Sequence, residues 1–142
     1  MGPAGPPGAI GARGPSDAFT KLVVNPTGTP GGVVAEGSFK TFAQFDLPAG
    51  NFIVSANVII ANNDPALPAN VSCNLPPAFG GGTLSMGADQ MTTLAFTVPV
   101  TLSAAGPITL SCGEFTRNLP NGNVFIARVV MNAIQVGTLT QR

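Results

Sequence analysis

The chain has 142 residues, a formal net charge of zero, no histidine, and 8% charged against 44% hydrophobic residues. Net neutrality argues against a nucleic-acid-binding face, which needs basic charge, and no apolar run reaches the roughly 18 residues of a membrane-spanning helix. An average soluble domain is about 25% charged, so we expect part of this surface to be buried between subunits.

The first sixteen residues repeat glycine at every third position. The glycines are Gly2, Gly5, Gly8, Gly11 and Gly14. A collagen triple helix requires this period because only glycine fits at its crowded axis. Five triplets would extend about 45 Å, which is too short to hold three chains together unaided, so the remaining residues are expected to trimerise. The alternative is a Gly/Pro-rich leader that forms no triple helix.

From residue 17 onward the chain is predicted to be all β, since Val, Thr, Phe and Ile are frequent while Glu and Lys are scarce. The predicted strands are Phe19–Val24, Val33–Phe39, Thr41–Leu47, Asn51–Ala61, Asn70–Leu75, Gln90–Leu102, Pro107–Phe115 and Asn123–Val136. The stretches Asn62–Ala69 and Pro76–Ala88 are predicted to be longer loops, the second because its three glycines suit no strand interior. We therefore expect a two-sheet, jelly-roll-like sandwich over residues 17–142, preceded by a collagen-like stalk end over residues 1–16.

Two of the long predicted strands, Phe52–Ala61 and Val124–Val136, are apolar on both faces. A strand with one face in water should alternate apolar and polar residues. We expect the second face to be covered by a neighbouring subunit; the alternative is a loop of the same chain crossing the strand. Strict alternation gives the candidate trimer-interface residues as Ile53, Ile59, Val124, Ile126, Val130 and Ile134.

Residues for catalysis are sparse. Without histidine there is no His-based triad, general base or metal site, and the six acidic residues are too scattered to pair. We therefore expect no enzyme, no cofactor and no metal. The sequence Ala61–Asp64 could offer oxygens to Ca²⁺, but a plain Asx-rich turn is the favoured explanation.

The Gly-X-Y segment runs directly into an all-β head that contains FDLPAGNFIVSANVIIAN, NVSCNL and ITLSCG. In these features the chain resembles the collagen-like proteins of bacteria and of the complement type. The resemblance implies a trimeric head related to the tumour-necrosis-factor jelly roll, with a Leu-Pro-x-Gly hairpin, two cysteine-bearing strands and a long last strand. Complement-type heads are usually rich in aromatic residues, whereas this chain has no Tyr and no Trp. The resemblance therefore implies no particular ligand-binding residue.

Cys73 and Cys112 each share a predicted strand face with apolar residues, and no CxxC spacing suggests a metal site. They are either two buried free thiols or one disulfide within the head. The oxidising, outer location that the resemblance implies favours the disulfide.

The sequence leads us to expect a structural homotrimer. Its C-terminal head would nucleate and anchor the triple helix of a secreted collagen-like fibre, or of one displayed on a cell, spore or virion surface. We expect no nucleic-acid partner and no membrane insertion. The alternative is the trimeric tip of a phage tail fibre or surface adhesin, which would bind a glycan or receptor through its two longer loops.

Overall fold

The computed structural model describes residues 17–24, 32–33, 37–78, 80–115, 123–137 and 139. These residues form nine strands and no helix, and so no described helix could cross a membrane. The strands are β1 (Ala18–Val24), β2 (Gly32–Val33), β3 (Lys40–Leu47), β4 (Gly50–Asn62), β5 (Ala69–Asn74), β6 (Gly81–Met86), β7 (Gln90–Leu102), β8 (Gly106–Glu114) and β9 (Val124–Val136).

The strands build two antiparallel sheets that face each other. One sheet has the order β1-β9-β4-β7, with the short β2 pairing the same strand β9, and the other has the order β3-β8-β5-β6. From β3 onward, only β5 and β6 are consecutive strands in the same sheet, so the chain wraps back and forth between the layers as in a jelly roll. The predicted all-β, two-sheet, jelly-roll-like sandwich is confirmed.

The core lies between the two sheets and is centred on β4, which pairs with β9 on one side and β7 on the other. Alternate residues of β4 point into the core and are fully buried: Phe52, Val54, Ala56, Val58 and Ile60. Burying one such large aliphatic or aromatic side chain contributes about 1.5–3 kcal/mol. The period-2 pattern of this strand therefore fixes which of its faces meets the opposite sheet.

The short link between β3 and β4 is a corner between sheets and not a hairpin, because its two strands belong to different layers. Gly50 takes a φ of +151°, and a Cβ there would lie 2.8 Å from Nε2 of Gln135. The positive φ favours glycine at this corner, whereas the Gln135 amide is the end of a flexible side chain that can move aside.

Two strand predictions were wrong. Residues Gly81–Met86, expected in a loop, form β6, in which a Cβ on Gly81 would lie 2.0 Å from the carbonyl oxygen of Cys73. Glycine therefore belongs here because the neighbouring strand approaches closely. The single strand expected over Val33–Phe39 is instead the two-residue β2 followed by a turn, where Gly37 has a φ of +66°; residues 34–36 lie outside the described part.

The expectation that Val124 and Ile126 point away from the core is also wrong. Ile59 pairs with Arg128 and Ile60 with Ile126, so Ala127 is an extra residue in β9. This bulge shifts the alternation by one residue. Val124 and Ile126 consequently face the core, where they are 4% and 0% exposed.

The close approach at Gly81 yields a matched prediction. We expect Gly81→Ala to destabilise the head by about 1–3 kcal/mol, the usual cost of forcing atoms into a packed site. Gly106→Ala is the control, because the nearest atom to its added Cβ lies 4.0 Å away, and it should be neutral or stabilising. Urea denaturation of both variants measures the difference; equal stabilities would contradict the close packing of β6 on β5.

Candidate subunit interface

The outward surface of the β1-β9-β4-β7 sheet is largely apolar, and we call it the apolar face. Its members alternate along their strands with core residues. Its apolar side chains are Leu22, Val24, Ile53, Ile59, Met91, Ala95, Val130 and Ile134. Leu22, Val24, Met91 and Ile134 are 53–66% exposed, which is unusual for large hydrophobic side chains on a chain this poor in charge.

Strand register sets these side chains side by side. At one end of the face, Ile134 lies between Ala18 of β1 and Ile53 of β4, and Pro99 of β7 follows Ile53. Pro99 is tolerated because β7 is an edge strand, which can lack one backbone donor. Toward the middle, Val130 lies opposite Leu22. The first row is thus apolar across all four strands, whereas the second is interrupted at β4 by Asn57, which pairs with Val130.

A neutral polar row separates these apolar rows. It consists of Thr20, Asn132, Ser55 and Thr97 in register order. The Thr20 hydroxyl donates to Oδ1 of Asn132 at 3.0 Å. Hydroxyl and amide groups can hydrogen-bond across an interface without the desolvation cost of a buried charge, so this row is compatible with burial.

The apolar face carries almost no charge. Strands β1, β4, β7 and β9 contain no Asp or Glu, and their two cations are Lys21 and Arg128. Lys21 directly precedes Leu22 in β1 and therefore points to the opposite side of the sheet. Arg128 lies on the apolar face beside a shallow hollow of about 280 Å³, which it lines with Asn57, Ile59, Thr93 and Val130. Any partner that covers the apolar face must therefore leave the Arg128 guanidinium in water or pair it.

Four of the six predicted interface residues lie on this face. Ile53, Ile59 and Val130 are half-buried and Ile134 is 53% exposed, whereas Val124 and Ile126 lie in the core. Sequence reasoning missed Leu22, Val24 and Met91. The alternation in Ala18–Val24 could have revealed the first two, because Phe19 and Val23 pack against the core and leave Leu22 and Val24 outside.

The predicted stalk ends where the apolar face begins. The five repeat glycines, Gly2 to Gly14, lie outside the described residues. The first described residue, Asp17, accepts a backbone hydrogen bond at its carbonyl oxygen from the amide of Gln135 at 3.0 Å, and Ala18 then pairs with Ile134. The chain therefore enters the head at one end of the apolar face.

A disulfide joins Cys73 of β5 to Cys112 of β8. The two residues are register partners on neighbouring strands, and their side chains are 1% and 0% exposed in the core. The bond ties the centre of the β3-β8-β5-β6 sheet and leaves the apolar face on the other sheet untouched.

Asp64 fastens the loop that follows β4. Its Oδ1 accepts the backbone amides of Ala66 and Leu67, both at 2.9 Å, and its Oδ2 accepts Nδ2 of Asn123 at 2.8 Å. The backbone amide of Ala66, followed by that of Leu67, holds the pKa of the Asp64 carboxyl below its usual value. Oδ1 of Asn62 accepts the amide of Asp64, which is an Asx turn. The oxygens considered for Ca²⁺ thus accept hydrogen bonds from the protein itself.

No protein-family model matches this chain, and no curated protein does. Among solved structures, it is similar to a chain of infectious bursal disease virus, Gx strain, with 12% identity and a TM-score of 0.54. That match covers 94% of this chain but 39% of the viral chain. At this identity the likeness shows the fold alone, a jelly-roll-like β-sandwich.

Two further solved structures are more distant. The PRD1 vertex protein P5 matches with 11% identity and a TM-score of 0.46, over 89% of this chain and 100% of its own. The C-terminal CBM6 of LamC, a laminarinase from Zobellia galactanivorans, matches with 19% identity and a TM-score of 0.42, over 80% of this chain and 90% of its own.

The Asp64 contacts predict a pH-dependent contribution to stability. The pKa of Asp64 in the folded protein lies below the ordinary value of 3.8. Between these two pKa values the unfolded chain therefore binds more protons than the folded chain. The contribution is therefore complete above about pH 4 and is lost as pH falls through the folded pKa. The difference in unfolding free energy between wild type and Asp64→Asn should shrink as pH falls from 5 to 2. Asp46→Asn, at an exposed carboxylate, is the control, and a pH-independent difference for Asp64→Asn would contradict this role.

Proposed function

We propose that this chain is the trimerising head of a collagen-like structural protein, and that three copies associate through the apolar face. The head gathers three chains and starts the triple helix in the preceding Gly-X-Y segment. The observation that carries the proposal is the exposed apolar face, whose one charged side chain among the described strands is Arg128 and at whose end the chain enters the head after the five triplets.

The contrast between the two outer faces of the sandwich supports this choice of surface. The outward side chains of the β3-β8-β5-β6 sheet are mostly hydroxyls and amides: Thr41, Gln44, Asn70, Ser72, Asn74, Thr83, Ser85 and Thr109. They can remain in water at little cost. Leaving the large aliphatic side chains of the apolar face in water is unfavourable. Every 25 Å² or so of apolar area that stays exposed forgoes roughly 0.6 kcal/mol of stabilisation. Association through the apolar face therefore buries the surface that most favours burial.

Coverage by the chain's own loops was the alternative. Among the described segments none covers the apolar face, since Leu22, Val24 and Ile134 remain more than half exposed. A second copy carries the same surface, and a cyclic trimer would use it three times. Stable obligate interfaces commonly bury more than about 2,000 Å² in total, and a four-stranded sheet face is wide enough to contribute on that scale.

The number three comes from the stalk. A triple helix takes three chains with glycine at every third residue of each, and the fifth such triplet ends at Ser16, with only Asp17 between it and the start of β1 at Ala18. A head that trimerises first raises the effective concentration of the three stalk ends to the millimolar range. Arg128 is compatible with this assembly, because its aliphatic stem can lie on apolar surface while the guanidinium reaches the rim.

The proposed role places the protein outside the cytoplasm, in a secreted fibre or on a cell, spore or virion surface. The Cys73–Cys112 disulfide supports that location, since structural disulfides persist mainly in oxidising compartments. In this role the head acts by binding its own copies, without catalysis. The alternative, a tip that recognises a glycan or receptor, is favoured by a different surface on the opposite sheet, which exposes two phenylalanine rings.

Lysine substitutions on the two outer faces test the proposal. Sedimentation equilibrium should give wild type a mass three times the 14.2 kDa of one chain at micromolar concentration. Val130→Lys and Ile59→Lys should give monomers, because each places a charge in the apolar face, where burial costs several kcal/mol. Gln44→Lys, exposed on the opposite sheet, is the matched control and should remain trimeric.

Two results would contradict the proposal. A monomeric wild type would remove the trimer itself. A trimeric wild type whose mass is unchanged by Val130→Lys and Ile59→Lys, in variants that keep the wild-type circular dichroism, would move the interface to another surface.

A further inference from the structure

A hollow of about 470 Å³ lies on the outer side of the β3-β8-β5-β6 sheet, beside the hairpin of β5 and β6. Its lining includes Phe39, Ser72, Asn74 and Thr83, and the glycines Gly80–Gly82 form one margin. Its volume falls within the roughly 300–1,000 Å³ of small-molecule sites. None of its lining residues is charged.

Phe39, which lines the hollow, packs against a second ring, that of Phe115, which lies outside the lining. The rings of Phe39 and Phe115 have their centroids 5.3 Å apart at an angle of 55°, and the two residues are 48% and 46% exposed. A Cβ on Gly113 beneath them would lie 2.6 Å from the carbonyl oxygen of Ser38 and 2.9 Å from the Phe115 ring. The glycine in β8 therefore lets the pair lie directly on the sheet.

Backbone hydrogen bonds anchor the two chain segments that carry these rings. The amide of Phe115 donates to the carbonyl of Asn70 at 2.9 Å, and the amide of Gly37 donates to the carbonyl of Glu114 at 2.8 Å. Two large apolar rings on anchored segments are thus about half exposed at the surface. Rigid aromatic side chains with exposed faces are effective anchors for a ligand because little conformational entropy is lost on binding.

The polar side chains of the hollow supply neutral hydrogen-bonding groups. The hydroxyl of Thr83 donates to that of Ser72 at 3.4 Å, which is long enough for either to turn to a ligand. Oδ1 of Asn74 is buried and has no hydrogen-bond partner among the described residues. An unsatisfied buried carbonyl costs about 1–3 kcal/mol, so a hydroxyl donor reaching it would be favoured.

We infer that this hollow binds a sugar ring of a neutral saccharide. One side of a pyranose ring presents C–H groups that pack on an aromatic face, and its hydroxyls both donate and accept hydrogen bonds. The Phe39 ring, packed against Phe115, provides the first complement, and Ser72, Asn74 and Thr83 provide the second. A phosphate or a nucleic-acid backbone would instead need a cation, and none lines the hollow.

The site and the apolar face lie on opposite sides of the sandwich. Saccharide binding therefore does not depend on the trimer, and a trimer formed through the apolar face would leave three hollows open to solvent. Three linked sites could raise the avidity for a repetitive glycan surface by orders of magnitude over a single site. This gives the recognition role considered above a location and a class of ligand.

The test uses the full chain, labelled with ¹⁵N and titrated with neutral trisaccharides of β-linked glucose, galactose and N-acetylglucosamine. We expect saturable shifts of the amides of Ser72, Asn74 and Thr83 with at least one of the three sugars. Phe115→Ala should weaken binding by about tenfold or more, equivalent to roughly 1.4 kcal/mol. Met91→Ala, which removes a 66% exposed hydrophobic side chain from the opposite sheet, is the control and should leave affinity unchanged.

The variant Phe115→Trp provides a second test if the alanine variant fails to fold. It keeps a flat aromatic face and introduces the chain's single tryptophan, whose fluorescence should change on saccharide addition. The inference is overturned if no neutral saccharide binds at about 10 mM, if the shifts map to other residues, or if folded Phe115→Ala binds as wild type does. Binding of acidic saccharides alone would also overturn it.

Discussion

The shortage of charge is the constraint on which the rest of this structure depends. With 8% charged residues, the chain cannot cover two outward sheet faces with ionised side chains. The two sheets therefore differ in the composition of their outer faces. One outer face is made of hydroxyls and amides that water can hydrate, and the other remains aliphatic. The second has more free energy to gain by leaving water, and we therefore propose it as the surface for self-association.

The rest of the fold holds that face in position. The disulfide closes a chain segment with a sequence separation of 39 and restricts the unfolded chain by roughly 4 kcal/mol on the loop-entropy model. Asp64 ties the loop after β4 to the start of β9 through Asn123. The disulfide and the Asp64 contacts both lie away from the apolar face. They stabilise the sandwich without using the outward side chains of the four strands that form this face.

Much of this could be predicted from the sequence, because strand period is a local property. The alternation of Phe52 to Ile60 was enough to assign the core face of β4, and Ile53 and Ile59 were correctly placed outside. Val124 and Ile126 were misplaced because a single extra residue, Ala127, reverses the alternation, and a bulge leaves no local mark in an apolar strand. Strand β6 was missed because Gly81 reflects the closeness of Cys73 in space and not a turn. The aromatic hollow could not be foreseen, since Phe39 and Phe115 are brought together by the pairing of β3 with β8.

The most direct measurement is amide hydrogen exchange of residues 2–16 in the full chain, compared between wild type and Val130→Lys. If the head holds the stalk, the glycine amides of wild type should be protected, and the substitution should remove that protection together with the trimer. Gln44→Lys should retain both. Protection that persists in a monomeric Val130→Lys variant would contradict the account, as would a trimeric wild type whose glycine amides exchange freely.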